Sequence, residues 1–155
     1  MKTDNKSKKA VDDRSFFGEK KEYDRGRAEK KLRSFQQSEL NAMAMYRALA
    51  ERAEEEKTRD LLQKIAAEEG RHAAVFRGLT CVTLPIRKGL LRAVLCMKVV
   101  LREKNTYRIL AFGEKRASKT YARFVERYGI NEVTPLIEIE KEHAEQLSAT
   151  AKKKK

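Results

Sequence analysis

The chain has 155 residues, enough for one domain with a real core and none to spare for a second. Charged residues make up 38% and aromatics 7%, Trp is absent, and only 7 Gly and 2 Pro interrupt the sequence, which argues against an aromatic, β-branched sheet and for long polar-faced helices. The net charge of +13 sits largely in residues 1–33 (12 basic, 7 acidic), residues 85–102 (5 basic, none acidic) and Lys152 to Lys155, leaving the remainder near −1, so the basicity decorates the domain rather than defining it, and a nucleic-acid-binding helical protein is the weaker alternative.

Residues 1–25 mix Lys, Asp, Ser and Gly without an apolar period and are expected to form a disordered basic tail. They also lack the apolar stretch of a signal peptide. From about 27 to 56, Leu32, Phe35, Ala42, Met43, Tyr46, Leu49 and Ala53 recur at intervals of three and four, the spacing of one helical face, and Glu39 interrupts it. A second helix, from about 58 to 79, aligns Leu62, Ile65, Ala66, Ala73, Phe76 and Leu79, with Glu69 and His72 inside the stripe.

Thr80 to Pro85 breaks the pattern, and Ile86 to Arg102 is rich in Leu and Val with basic residues between them. The region 80–103 is expected to be a long crossover between helices 2 and 3. The alternative is a basic amphipathic helix resting on a membrane surface. Cys81 and Cys96 lack Cys-x-x-Cys spacing and read as ordinary thiols; with no apolar run of membrane-spanning length, a cytoplasmic location is expected. A third helix, from about 104 to 128, aligns Tyr107, Leu110, Ala117, Tyr121, Phe124 and Tyr128 around Glu114, and Gly129 suits the residue after its C-cap. A fourth, from about 133 to 149, aligns Val133, Leu136, Ala144 and Leu147 around Glu140 and His143, with Pro135 tolerated in its first turn. Residues 26–150 thus form the expected domain, an all-α four-helix bundle, and 151–155 a lysine tail.

The two halves repeat. A shift of 75 superposes Glu39 on Glu114 and Tyr46 on Tyr121, and Tyr-Arg-Ala-Leu-Ala-Glu-Arg on Tyr-Ala-Arg-Phe-Val-Glu-Arg; a shift of 71 superposes Glu69 on Glu140 and His72 on His143. Glu and Tyr seven apart return to nearly the same azimuth, and Glu-x-x-His places both side chains on one face. One Glu from each of two helices and a Glu-x-x-His from each of the other two is the ligand inventory of ferritin-like di-iron carboxylate bundles. A lone Glu-x-x-His is commonplace on charged helices; both histidines carrying one, with the paired Glu-x6-Tyr on the other helices, is not.

Charge supplies the physical reason for metal. Four inward carboxylates would each cost several kcal/mol to desolvate, and the inward faces hold no Lys or Arg, whereas two divalent ions would cancel the charge. Oxygen-rich ligation with one imidazole per ion suits iron, with manganese possible, better than zinc. The metal candidates are therefore Glu39, Glu69, His72, Glu114, Glu140 and His143. Tyr46 and Tyr121 are ordinary core by their stripes, or donors to a ligand carboxylate.

From about Ser34 to Leu147, Glu39-Leu-Asn-Ala-Met-Ala-Met-Tyr46, Ala67-Glu-Glu-Gly-Arg-His72 and Glu140-Lys-Glu-His143 resemble the rubrerythrin branch of the ferritin-like superfamily. The resemblance implies a ferritin-like bundle with Glu69 and Glu140 bridging two Fe ions, Glu39 and Glu114 as terminal ligands, and His72 and His143 capping one ion each. It also implies a non-haem di-iron oxidoreductase, a ferroxidase or peroxidase acting with dioxygen or hydrogen peroxide, an electron donor, and a homodimer. Two departures bear on the branch: Ala117 stands where rubrerythrins carry a further carboxylate, and no cysteine-rich rubredoxin module follows. The motifs are similar to bacterioferritin as well, although Gly70 lies where its haem-ligating Met would fall. They also resemble the ferritin-like domain that precedes vacuolar-iron-transporter-type membrane domains, which implies the alternative of a non-catalytic iron-sensing or delivery module serving a membrane iron transporter.

Overall fold

The computed structural model describes residues 13–87, 89 and 103–153, with side chains from residue 24 onward. Four long helices account for it: α1 (Asp13–Ala50), α2 (Glu56–Thr80), α3 (Glu103–Tyr128) and α4 (Thr134–Lys153), with a 3-10 turn at Asn131–Val133 before α4. The described residues contain no strand, and among them no helix is long and apolar enough to cross a membrane.

The helix ends differ from the apolar periods in three places. α1 begins at Asp13, so the expected disordered tail is helical from there. Residues 13–26 contain no proline, and Arg14, Glu19, Lys20, Lys21, Glu22 and Arg25 are good helix formers, so an established helix extends through them despite Gly18 and Gly26. At its other end α1 stops at Ala50, not near 56. Continuing would have stacked Glu54, Glu55 and Glu56 at the negative end of the helix dipole; instead Glu55 is the N-cap residue of α2 and Glu56 lies in its first turn, at the positive end. α4 runs on to Lys153, into the expected lysine tail, with Lys152 and Lys153 in the last turn where cations oppose the dipole.

Gly129 has φ +67 and donates its N–H to the Val125 carbonyl at 2.8 Å, closing α3 as expected of a residue after the C-cap. Cys81 plays the same part for α2 without being glycine, at φ 53, donating to the Arg77 carbonyl at 2.8 Å. Cys96 lies outside the described residues, as does most of the crossover. Its first stretch is tacked along α1: Gln36 Nε2 donates to the Val82 carbonyl at 2.7 Å, Thr80 Oγ1 donates to Gln36 Oε1 at 2.8 Å, and Gln37 Nε2 donates to the Pro85 carbonyl at 2.9 Å.

Helices pack most closely within two hairpins, α1 with α2 and α3 with α4. Across the gap, contacts between Tyr46 and Glu114 and between Tyr121 and Glu39 make α1 and α3 antiparallel. Contacts of His72 with Glu140 and of His143 with Glu69 do the same for α2 and α4. α2 and α3 therefore run parallel, which a short loop cannot connect; hence the long connection between them.

The core is split in two. At one end Tyr46, Leu49, Leu62, Ile65, Tyr107, Leu110 and Leu147 pack together; at the other, Leu32, Phe35, Phe76, Tyr121, Phe124, Val133 and Leu136. The second end is aromatic: the Phe35 ring meets those of Tyr121 at 4.8 Å, Phe124 at 5.2 Å and Phe76 at 5.6 Å between centroids. Between these two apolar plugs lies a polar layer.

Candidate metal centre

The polar layer is built from the interrupting residues of the four apolar stripes. Each stripe turns inward to bury its Leu, Phe and Tyr residues, and whatever shares that azimuth is carried inward too. Glu39 comes from α1, Glu69 and His72 from α2, Glu114 from α3, and Glu140 and His143 from α4. All six are buried, none more than 8% exposed. The structure thus brings together every residue singled out from the repeat.

They fall into two overlapping groups: Glu39, Glu69, His72 and Glu140 offer ligand atoms within 4.8 Å of one another, and so do Glu69, Glu114, Glu140 and His143. Glu69 and Glu140 belong to both. His72 Nδ1 lies 3.0 Å from Glu140, 3.6 Å from Glu39 and 3.8 Å from Glu69, while His143 Nδ1 lies 3.0 Å from Glu69. The two imidazoles face each other, 6.0 Å between centroids and inclined by 27°. Close as these atoms are, they are not aligned as hydrogen bonds: Glu69 Oε1, both Glu140 oxygens and Nδ1 of both histidines are buried without a hydrogen-bond partner. Buried polar atoms are nearly always paired, so a convergent set of orphans, acceptors crowded on acceptors, fits the donor set of a cation site.

The electrostatics say the same. Burial pushes Glu39 from its ordinary 4.5 up to about 8, opposed by hydrogen bonding to Glu69 and aided by the charges of Glu140 and Glu114. Burial likewise holds Glu69 and Glu114 well above the carboxylate range, the first helped by Glu39 and the second by the charge of Glu69. Burial pulls His143 down, but Glu69 and Glu68 outweigh it and leave the imidazole above its ordinary 6.5. Without a cation, the layer is tolerable only with protons on several carboxyls.

Tyr46 and Tyr121 belong to this layer as well as to the core. Tyr46 donates its hydroxyl to Glu114 Oε1, and Tyr121 donates to Glu39 Oε1. Each phenol is rooted in the apolar plug at one end of the layer and reaches across to the other hairpin. Burial and the charge of Glu114 raise Tyr46 well above its ordinary 10, so it stays a donor.

Glu68 is the residue that repeat reasoning missed. Its Oε2 lies 2.8 Å from His143 Nε2, and its Oε1 lies 3.5 Å from exposed Arg71. A shift of 71 places Ile139 opposite it, so comparing the halves passed over it. The adjacent carboxylates Glu68-Glu69, one inward and one about 100° round the helix, were the available signal.

The near-neutral total over the helices also conceals where their charges lie. α3 alone carries seven basic and three acidic residues, and one of its acids, Glu114, is buried. Its outer face, with Arg108, Lys115, Arg116, Lys119, Arg123 and Arg127, is therefore strongly basic, contrary to the expectation that only tails and crossover are. Phe112 stands on that face 68% exposed. Two surface grooves flank it, and neither is lined by any of the six buried residues.

Comparisons with protein-family models, with curated proteins and with solved structures found no match.

Proposed function

We propose that the chain is a ferritin-like di-metal carboxylate protein of the rubrerythrin kind that binds two iron ions and works as a ferroxidase or peroxidase. The single observation carrying this reading is the pair of overlapping four-residue groups sharing Glu69 and Glu140. Two groups that share two carboxylates suit a pair of ions: Glu69 and Glu140 would serve both, with Glu39 and His72 holding one and Glu114 and His143 the other. Four carboxylates against two divalent ions balance, which removes the desolvation cost that the metal-free layer meets by holding protons. Oxygen donors with one imidazole per ion favour iron, and next manganese. When bound, two ferrous ions would supply the electrons that reduce dioxygen or hydrogen peroxide.

The chain's own residues set the conditions for that chemistry. Burial of all six candidate ligands between two apolar plugs excludes bulk water and strengthens each electrostatic interaction within the layer. The same enclosure favours a small oxidant over an organic substrate, since the described grooves lie on the outer surface. Tyr46 and Tyr121 fix the terminal carboxylates Glu114 and Glu39 and offer each a proton donor. Anaerobic loading with Fe(II) followed by peroxide or air tests the reading: a di-ferric charge-transfer band at two iron per chain is expected, and no band, or no iron retained, would overturn it.

A second reading, a non-catalytic module that hands iron to a partner, draws on the outer face of α3, where exposed Phe112 stands among Arg108, Lys115, Arg116 and Lys119. An acidic protein surface would suit it by charge. Slow oxidation with ready release of Fe(II) to a competing chelator would favour this reading over the first.

A further inference from the structure

The two halves of the polar layer repeat in their candidate ligands but not in what stands behind them. His143 has its far nitrogen, Nε2, 2.8 Å from the Glu68 carboxylate. A carboxylate accepts there, so Nε2 carries a proton, and once the ring is neutral, as a metal ligand must be, Nδ1 is the bare nitrogen, 3.0 Å from Glu69. Glu68 is itself steadied from outside by Arg71, 3.5 Å from its other oxygen. His72 has no such support. Its Nε2 is buried and has no hydrogen-bond partner among the described residues. The reason is in the sequence: the position that repeats Glu68 is Ile139, which has no polar atom to offer.

We propose that Glu68 is a positioning residue that makes the two metal positions unequal: the Glu114–His143 side holds its ion more tightly than the Glu39–His72 side. The inference rests on the di-metal reading above and adds to it. A ligating histidine whose other N–H is held by a carboxylate is fixed in tautomer and ring orientation and is made more basic, and removing such a partner typically costs 10- to 100-fold in metal affinity. An imidazole with an unpaired buried N–H on its far side has neither advantage, and burying that N–H unpaired raises the cost of the tautomer that binds. The first ion to enter therefore occupies the His143 side, and the ion that exchanges with solution or with an acceptor leaves the His72 side.

Crystals soaked with one equivalent of Co(II) per chain, which air does not oxidise in this setting, resolve the two positions by anomalous scattering and need no turnover. The native protein is expected to favour the His143 position by about tenfold or more. Glu68→Ala should bring the two occupancies close to even, Glu68→Gln should retain part of the bias through its amide oxygen, and Ile139→Glu should raise occupancy beside His72. Equal occupancies in the native protein, or a bias untouched by Glu68→Ala, would overturn the inequality while leaving the di-metal reading standing. Absence of cobalt from both positions would overturn both. Glu68 is part-exposed, so the metal-free Glu68→Ala protein should unfold within a few degrees of the native one; a large loss of stability would mark Glu68 as a structural residue and count against the proposal.

Discussion

Tyr46 of α1 donates its hydroxyl to Glu114 of α3, and the repeat that maps Tyr46 to Tyr121 and Glu114 to Glu39 returns the same bond in reverse, from α3 to α1. Two crossed bonds of this kind stitch the hairpins together at opposite edges of the polar layer. Each tyrosine is at once core and support: Tyr46 is fully buried, Tyr121 nearly so, and only the hydroxyls are polar. Tyr46→Phe and Tyr121→Phe keep the ring and remove the donor, leaving a buried carboxyl oxygen unpaired, so each should destabilise the metal-free protein by about 1–3 kcal/mol. Chemical denaturation measures it; a change below about 0.5 kcal/mol in both variants would mean the hydroxyls are incidental to packing.

The shared carboxylates should be separable from the unshared ones by metal content. Glu39→Ala and Glu114→Ala each remove a group that belongs to one side, and each should lower the affinity of one ion more than the other. Glu140→Ala removes a group common to both sides and should lower both. Calorimetric titration with Mn(II) distinguishes these patterns, and equal effects from all three variants would contradict the division into two overlapping groups.

The metal-free protein should lose stability as pH rises, the reverse of the usual behaviour of folded carboxylates. Glu39 is raised from 4.5 to about 8, and Glu69 and Glu114 also move up, so between these values the folded state binds more protons than the unfolded one. The stability that goes with those protons is fully present below about pH 4.5 and is lost as pH climbs through about 8, with a limiting slope of about 1.4 kcal/mol per pH unit for each carboxyl. His143, held above its ordinary 6.5, acts in the same sense. Saturating metal should invert the trend, because bound ions displace those protons and bind better at higher pH. Urea midpoints across that window, with and without Mn(II), measure both arms; metal-free stability that rises with pH would contradict the protonated layer.

Gln36 ties the start of the crossover to α1 through Thr80 and Val82. Gln36→Ala leaves the Thr80 hydroxyl and the Val82 carbonyl without this partner and should cost about 1–2 kcal/mol. Hydrogen exchange should report faster opening at residues 82–87 with little change in the polar layer. Unchanged exchange there would mean the strap is held by other contacts.

The site was legible because it interrupts strong periods twice. Glu39, Glu69, His72, Glu114, Glu140 and His143 stand on apolar stripes where a charge needs a reason, and the repeat at 75 and 71 residues pairs each of the six with another. The four helices were legible for the same cause. Their ends were not: the apolar period reports which residues face inward, so it is silent about Asp13 to Gly26, and it ran past Ala50 because Ala53, though buried, lies in the turn. Glu68 escaped because its repeat position is Ile139, and an asymmetric support is invisible to a search for symmetry. The basic face of α3 escaped because a total over all the helices offsets its seven basic residues with acids that lie on the other helices or, like Glu114, are buried.

Electron paramagnetic resonance of the protein loaded anaerobically with Mn(II) tests the central claim most directly. If Glu69 and Glu140 belong to both sides of one centre, the chain takes up two ions and their spins couple, giving the broadened, multiline signal of an exchange-coupled pair at two manganese per chain. Uptake of a single ion, or two ions with the six-line signal of isolated Mn(II), would contradict a shared-carboxylate centre.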